Sequence, residues 1–367
     1  MGTISEKPTY AHTAFNQVSF KVKKDDTEGK NYVTLNIMKL NYKQPSDISV
    51  SLRREYLNGE AWFDISSVLK KWFTDEKIEP KENQYIYYDC DLAQYYAVSL
   101  DDKPVDNDFH MALNAAVQCG DKTDMFNDGN RFLTRQKNIK KYEGYPLDVS
   151  FIKTDTNAEY YLNLSEVTVG DMLKLAHSSI KIPDGTTKVE LSDIPLSTNL
   201  TTNKSTNIES NTSNQIVVRN NIKASLVIEK GVLQTCTGLN PFYVRWINQL
   251  GGFEYWMFYH NQKLKLNAKT TDTIEPVIHS ISNTSYIIRE LNKEVESFLT
   301  VGAGNLKPDE HLALSEIPTS PRVEYWNEKI GKWIRIYCEN SKIESNTRDM
   351  TKDIEIEFTL PIPQIQF

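Results

Sequence analysis

The segment Pro241–Phe258 (PFYVRWINQLGGFEYWMF) constrains the fold more than any other part of this chain. It contains two Trp, two Tyr, three Phe and one Arg around the pair Gly251–Gly252. Glycine reaches positive φ at little cost, and large aromatic side chains bury much area. The pattern therefore predicts an aromatic strand or short helix, a glycine turn and a second aromatic strand, which together form a hairpin.

Two roles are open for this hairpin. Its aromatic residues can form the core of a β domain, or they can form a protein interface, where Tyr, Trp and Arg are enriched. The candidate site residues are Tyr243, Arg245, Trp246, Asn248, Gly251, Gly252, Tyr255, Trp256 and Phe258.

Alternating apolar and polar residues predict strands elsewhere in the chain. Tyr32–Leu40 and Asp353–Leu360 alternate most clearly. Further strands are expected at Glu60–Ile65, Tyr85–Tyr88, Tyr95–Leu100, Pro146–Ile152, Ile216–Val218, Ala224–Ile228, Ser285–Glu290 and Lys332–Glu339. The second and third of these are expected to pair through aromatic contacts. The run Ala112–Gln118 fits a strand or a helix.

Helices are expected to be short and few. Val68–Phe73 places four apolar residues on one face after Ser66 or Ser67, either of which can cap a helix. Pro308–Ile317 begins with a proline that suits a first helical turn. Because strands do not alternate with long helices, the pattern predicts a mainly β protein with two or more antiparallel β-sandwich or barrel-like domains and short helices.

A polar stretch suggests where the domains divide. Leu196–Gln215 is almost without apolar residues, which predicts a polar linker or long loop. We therefore expect an N-terminal β-rich domain over 1–195 and a C-terminal β-rich domain over 216–367 that contains the hairpin 241–258. The terminal PIPQIQF has two prolines and is expected to be an edge or an arm.

Charge and the N-terminal residues limit the function classes. The net charge is −7, which disfavours a nucleic-acid partner. No secretory signal peptide and no membrane-spanning segment is predicted. Four cysteines lie far apart without a CxxC pair, which disfavours a zinc ribbon.

Motifs for catalysis and cofactors are missing from the sequence. It has no GxxxxGK[ST], GxGxxG, HExxH or GxSxG, and its six histidines lack metal-ligand spacing. Asp124–Asn130 (DMFNDGN) has Phe126 where a calcium loop needs an oxygen ligand, so a turn is favoured. We predict no catalytic residue, no metal and no cofactor.

Three blocks resemble a known family. They are Gly59–Phe73 (GEAWFDISSVLKKWF), Tyr243–Phe258, and Leu312–Ile336 with its Ser320–Pro321 pair. Together they resemble structural proteins from the tail or baseplate of tailed bacteriophages and prophages of Bacteroidota. The middle block is similar at Trp246, Asn248, Gly251, Gly252, Tyr255 and Phe258. It departs where Glu254 replaces a common Asp, and the last block departs at Arg335.

The resemblance implies a virion structural protein without enzymatic activity. Such a protein forms a ring or adaptor layer, distal-tail-like or hub-like, by self-association and by docking to other virion proteins. It is assembled in the cytoplasm of the bacterial host and located in the virion.

Two other functions remain open. A carbohydrate- or receptor-binding β module would use exposed aromatic side chains for a host-surface glycan, and Trp62, Trp72, Trp326 and Trp333 are candidates, although each Trp is more often buried. A glycan-degrading enzyme would need two carboxylates at a defined separation, which the sequence does not identify.

Overall fold

The computed structural model describes residues 2–9, 11–25, 29–41, 44–73, 86–87, 93–101, 103–116, 130–153, 160–166, 180–181, 185–190, 198–204, 222–230, 241–274, 289–338 and 352–361. The chain divides into two compact units. Unit 1 comprises Met1–Val232 with Ile247–Glu254, and unit 2 comprises Leu233–Trp246 with Tyr255–Phe367.

The described part of unit 1 forms four sheets and one helix. The first sheet has the order β1 (Thr3–Glu6), β3 (Ser19–Lys23), β6 (Glu60–Asp64). The second has the order β2 (Ala11–Thr13), β9 (Lys103–Leu113), β8 (Ala93–Leu100), β4 (Tyr32–Asn41), β5 (Gln44–Glu55). The third has the order β10 (Asn130–Phe132), β12 (Asp148–Lys153), β15 (Gly185–Glu190), β7 (Ile86–Tyr87). The fourth has the order β11 (Asn138–Lys141), β17 (Ile222–Lys230), β16 (Thr198–Lys204), β13 (Tyr160–Glu166), β14 (Ile180–Lys181). Neighbouring strands are antiparallel except in the pairs β2–β9 and β11–β17.

The first two sheets of unit 1 pack face to face as a β-sandwich. Phe20 and Phe63 of the first sheet share one apolar core with Leu35 and Tyr96 of the second. Helix α1 (Ser66–Lys71) closes this core with Leu69 and, just beyond its end, Trp72. The predicted apolar face of this helix is therefore confirmed.

The second sheet is also buried on its other face. Tyr95 and Met111 pack there with Leu133, Ile152 and Leu250. Successive side chains of a strand point to opposite faces, which is why the neighbours Tyr95 and Tyr96 lie in different cores.

Unit 2 is built on a single seven-stranded sheet. Its order is β19 (Phe253–Phe258), β18 (Phe242–Ile247), β22 (Val323–Asn327), β23 (Lys332–Cys338), β24 (Lys352–Leu360), β21 (Arg289–Leu306), β20 (His260–Ile274). Helix α2 (Pro308–Ser315) and a 3₁₀ turn (Ile317–Thr319) follow β21.

Helix α2 covers one face of this sheet, which we call the inner face. Ala313 and Leu314 pack there against Val301, Ile356 and Phe358. Pro308 occupies the first turn as predicted, and the Glu310 carboxylate accepts a hydrogen bond from the Lys307 N–H (2.9 Å).

The structure confirms the predicted fold class. The described residues are mainly β, with antiparallel sheets predominating and two short α-helices. The strands predicted at Tyr32–Leu40, Pro146–Ile152 and Asp353–Leu360 correspond to β4, β12 and β24.

Several local predictions are corrected. Of the 85–88 segment the structure describes 86–87 (β7), which pairs with β15, whereas β8 pairs with β4 and β9, so these two strands do not pair with each other. Helix α1 begins at Ser66, so neither Ser66 nor Ser67 is its cap, and the Asp64 carboxylate accepts the Ser66 N–H instead. Of the predicted run Ala112–Gln118, residues 112–113 end β9 and 114–116 are neither strand nor helix, while 117–118 lie outside the described residues.

The division into units also differs from the predicted linker at 196–215. Residues 198–204 of that segment form β16, which is hydrogen-bonded on both sides, to β13 and β17. Its three β-branched Thr residues favour a strand even though apolar side chains are few. The remainder 205–215, the strand predicted at 216–218 and the terminal residues 362–367 lie outside the described residues.

Candidate functional site

The hairpin predicted at 241–258 exists as β18 and β19, but its candidate residues lie in three different environments. Trp246, Trp256 and Phe258 face the apolar core of unit 2. Asn248, Gly251 and Gly252 form the turn, which belongs to unit 1. Tyr243, Arg245 and Tyr255 lie on the opposite face of the unit 2 sheet, which we call the outer face.

The core-facing group is structural. Trp246 is fully buried and Phe258 nearly so, and both pack in the core that α2 closes. Trp256 is only partly buried at the margin of this core. These three residues therefore lie on the core side of the hairpin, whereas Tyr255 points to the other face.

The turn is organised by the side chain of Asn248. Its Oδ1 accepts the N–H groups of Leu250 (3.0 Å) and Gly252 (2.9 Å). Its Nδ2 donates to the carbonyl oxygen of Leu133 (2.9 Å) and to the carboxylate of Glu254 (3.0 Å). An amide has two donors and one oxygen with two acceptor sites, so Asn248 is fully satisfied here.

Glu254 is completely buried, and its carboxylate is held by hydrogen bonds. The hydroxyl of Thr134 lies 3.0 Å from each carboxylate oxygen, and Oε1 also accepts the backbone N–H of Arg135. Together with Asn248 these donors stabilise a buried acid that would otherwise be costly.

The turn requires glycine at positions 251 and 252 for two different reasons. Gly251 adopts a positive φ of 84°, which side-chain-bearing residues rarely adopt. A Cβ atom on Gly252 would overlap the carbonyl oxygen of Leu133, so the turn requires the close backbone approach that only glycine permits. The whole turn is thereby fixed against the segment Leu133–Arg135 within unit 1.

A buried ion pair lies on the outer face of unit 2. Arg245 of β18 stands opposite Glu324 of β22, with 2.6 Å between Nε and Oε2. Arg322 approaches the other oxygen of the same carboxylate at 2.9 Å. Burial by itself raises the pKa of Glu324, but the two guanidinium groups together hold that pKa below its usual value.

Aromatic rings surround this ion pair. The guanidinium carbon of Arg245 lies 4.4 Å from the ring centroid of Trp333, which also contacts Tyr243, Tyr255 and Trp326 at centroid distances of 5.3 to 5.9 Å. Tyr243 and Tyr255 are buried, whereas the two Trp side chains are half-buried. The outer face is therefore partly open to solvent along β22 and β23.

A buried histidine cluster in unit 1 was missed by sequence reasoning. His12 Nδ1 lies 3.0 Å from the Thr9 carbonyl oxygen, which can only accept, so Nδ1 carries the proton. The neutral ring then accepts at Nε2 from the Tyr96 hydroxyl (3.0 Å), and the Tyr96 ring stacks on His110 at 5.2 Å. Burial lowers the pKa of His12 to about 4. Three residues so far apart in the chain leave no local pattern.

The β20–β21 pair is a second feature that the sequence analysis did not identify. The two strands pair from His260–Gly302 to Ile274–Arg289, but β24 pairs with β21 only from Ser297 onwards. Among the described residues, 267–274 and 289–296 therefore form a two-stranded ribbon beyond the sheet. At about 3.4 Å per residue it is about 27 Å long.

Within this ribbon, residues 267–269 and 271–273 of β20 are exposed on both faces. Just before the ribbon, Leu264 and Leu266 are each 58% exposed, and Lys263 and Lys265 are exposed beside them. The alternation of lysine and leucine over residues 263–266 is the sequence pattern that indicates a strand here.

The tryptophans proposed for glycan binding are separated by their exposure. Trp72 is buried in the unit 1 core, and Trp326 and Trp333 belong to the outer-face aromatic group. Trp62 is 53% exposed on β6, where the Lys21 ammonium lies 4.7 Å from its ring centroid.

In the part of the chain that the structure describes, no group of three or more His, Cys, Asp or Glu side chains is arranged to hold a metal ion. Neither of the α-helices in that part has the length and apolarity to cross a bilayer. Residues 124–129, where a calcium loop was considered, lie outside it.

Comparisons with known proteins found little similarity. No family model and no curated protein matches the chain. Two solved structures show weak likeness. The fibronectin(III)-like modules of Clostridium thermocellum CbhA have 8% identity over 65% of this chain and 100% of theirs, with a TM-score of 0.17. The calcium-binding domain CBD12 of CALX1.1 has 9% identity over 55% of this chain and 79% of its own, with a TM-score of 0.16. At such TM-scores neither carries an argument about this protein.

Proposed function

We propose that this protein is a non-enzymatic structural protein of the virion of a tailed bacteriophage. It builds a ring or adaptor layer of the tail or baseplate through self-association and docking to other virion proteins. This proposal follows from the resemblance of the three sequence blocks. It is supported by the candidate residues, whose packing, hydrogen bonds and ion pair stabilise the fold.

The observation that carries the assembly role is the exposed β20–β21 ribbon. A two-stranded ribbon in water is marginally stable, because it has no core of its own. This ribbon is about 27 Å long and most of its β20 side chains are exposed, so packing against a surface of another subunit would stabilise it. We propose that the ribbon is the arm by which one copy contacts the next.

Negative-stain images of the purified full-length protein test this role. Closed rings of uniform diameter are expected, since identical subunits that meet head-to-tail close when the rotation permits. Fields that contain only single 42.2 kDa particles at every concentration tried would contradict the self-association part of the proposal.

Binding of a host-surface glycan is the second candidate, and Trp62 is the observation that favours it. An exposed Trp ring on a rigid strand can stack on a sugar face. Retention of the wild-type protein on host polysaccharide, lost in Trp62→Ala and kept in Trp326→Ala, would support this function. Equal retention of the wild type and Trp62→Ala would reject it.

A further inference from the structure

Strand β20 is an edge of the unit 2 sheet. It is 15 residues long and ends the strand order, and among the described residues it pairs with β21 on one side only. The backbone N–H and C=O groups of such an edge are a template for another strand. The question is which strand chemistry this edge accepts.

The side chains of β20 form two different rows. Lys263, Lys265 and Lys269 share one face, and Leu264, Leu266 and Ala268 share the other, because side chains alternate along a strand. All six of these side chains are exposed. An added strand would meet a cationic row on one face and an apolar row on the other.

Pairing between two copies of β20 is disfavoured by these lysines. Symmetric antiparallel pairing centred on Lys265, Leu266 or Asn267 places two lysines opposite each other in every case. Like charges directly opposite are destabilising, and lysines on edge strands oppose edge-to-edge association. Self-pairing in these three registers is therefore disfavoured, which favours a different sequence as the occupant of this edge.

Strand β21 shows which chemistry β20 accepts on its other side. Glu294 lies opposite Lys269, Val295 opposite Ala268, and Glu296 opposite Asn267. Of the lysine row, Lys269 thus already faces an acidic residue, whereas Lys263 and Lys265 face Thr300 and Phe298, so acidic side chains of an added strand would supply their counter-charges. A nucleic acid would contact only the lysine face and would leave the leucines exposed and the backbone edge unpaired.

We propose that the edge of β20 opposite β21, over residues 262–269, binds an extended segment of a different protein in which acidic and apolar residues alternate. The segment adds as a strand, with its acidic side chains against the lysine row and its apolar side chains against Leu264 and Leu266. This inference deepens the assembly role proposed above and rests on it, because the segment belongs to a neighbouring virion protein.

The test uses a capped, labelled peptide of sequence TEVEIET as the probe and TKVKIKT as its charge-reversed control. Hydrogen exchange of the full-length protein is expected to slow over 262–269 when the first peptide is added, and not with the second. Binding followed by fluorescence polarisation is expected to weaken as salt is raised, because the lysine row is exposed.

Charge-reversed variants locate the site. Lys263→Glu with Lys265→Glu is expected to weaken TEVEIET binding roughly tenfold, because two favourable cross-strand charge pairs become unfavourable. The matched control is Lys329→Glu with Lys332→Glu, which makes the same charge change at exposed positions in the turn after β22 and at the start of β23 and is expected to leave affinity unchanged.

Other results would overturn the inference. They are absence of protection over 262–269, equal binding of TKVKIKT, equal affinity of the two variant pairs, or stronger protection by single-stranded DNA. A drop in assembly mass caused by the 263/265 variant would also overturn it, because the edge would then join copies of this chain. If the protein binds the peptide but forms no rings, the inference about the β20 edge is supported and the proposed ring assembly is rejected.

Discussion

At the scale of single residues, the geometry of the hairpin turn explains why Asn248 and Glu254 occupy their positions in the block Tyr243–Phe258. Asn248 uses every hydrogen-bonding group of its side chain, and Glu254 is buried among three hydrogen-bond donors, Thr134, Arg135 and Asn248. The sequence indicated that these positions matter. It could not show why, because their partner Leu133–Arg135 lies more than a hundred residues away.

The close approach at Gly252 gives a sharp prediction. Gly252→Ala is expected to reduce the free energy of unfolding by about 3 kcal/mol, since the new methyl group overlaps the Leu133 carbonyl and the turn must move. Chemical denaturation measures this. Gly331→Ala is the control, because Gly331 has positive φ but nothing within 4 Å of a Cβ, and it is expected to cost only about 1 kcal/mol. Equal losses for both variants would contradict the steric account.

The buried His12 predicts a dependence of stability on pH. The unfolded chain takes up a proton near pH 6.5, but in the folded state the pKa of His12 is lowered to about 4. Stability from the neutral ring is therefore complete above pH 6.5 and falls as the pH drops towards 4, by about 3 kcal/mol in total.

Urea denaturation at pH 7, 5.5 and 4 measures this dependence. His12→Gln is expected to lose less stability over that interval than the wild type, by up to the same about 3 kcal/mol. Tyr96→Phe keeps His12 and is expected to keep the dependence. Identical pH profiles for the wild type and His12→Gln would show that the ring is not buried and neutral.

At the scale of elements, alternation identified strands but not their partners. β4 and β24 were predicted because one face of each is buried and the other is not, which gives a period of two. The partner of β8 was predicted wrongly, because aromatic content does not specify pairing. β16 and β20 were missed because Thr, Asn and Lys dominate them, although backbone pairing holds both in sheets.

The outer face of the β18–β22–β23 group provides an element-scale prediction. Glu324→Gln leaves Arg245 buried without its counter-charge and is expected to reduce the free energy of unfolding by about 3 kcal/mol. The pKa of Glu324 is lowered in the folded state, so its stabilisation is present above its unfolded value and is lost as the pH falls through the lower folded value. The difference between the wild type and Glu324→Gln is therefore expected to shrink in strong acid.

The double variant Arg245→Met with Glu324→Leu is the control for this pair. Replacing both charges by apolar residues of similar size is often neutral, so most of the lost stability is expected to return. A double variant as unstable as Glu324→Gln would mean that the packing of Trp333 on the guanidinium, and not the charge balance, determines stability here.

At the scale of the whole molecule, the sequence predicted a mainly β protein with short helices, and the structure confirms it. The units differ from the predicted domains because contacts, and not composition, define them. Ile247–Glu254 clusters with the unit that precedes it in the chain, which no local pattern indicates. The proposed assembly role depends on a ribbon that is recognisable only when the extent of β24 pairing is known.

The mass of the protein in solution, measured by light scattering, tests the central claim most directly. The wild type is compared with a variant in which residues 267–296 are replaced by Asn-Gly, a two-residue turn that closes the paired positions Leu266 and Ser297. The account predicts a wild-type mass that is a multiple of 42.2 kDa and a folded monomer for the variant. The same mass for both proteins, whether monomer or assembly, would contradict the ribbon as the arm of self-association.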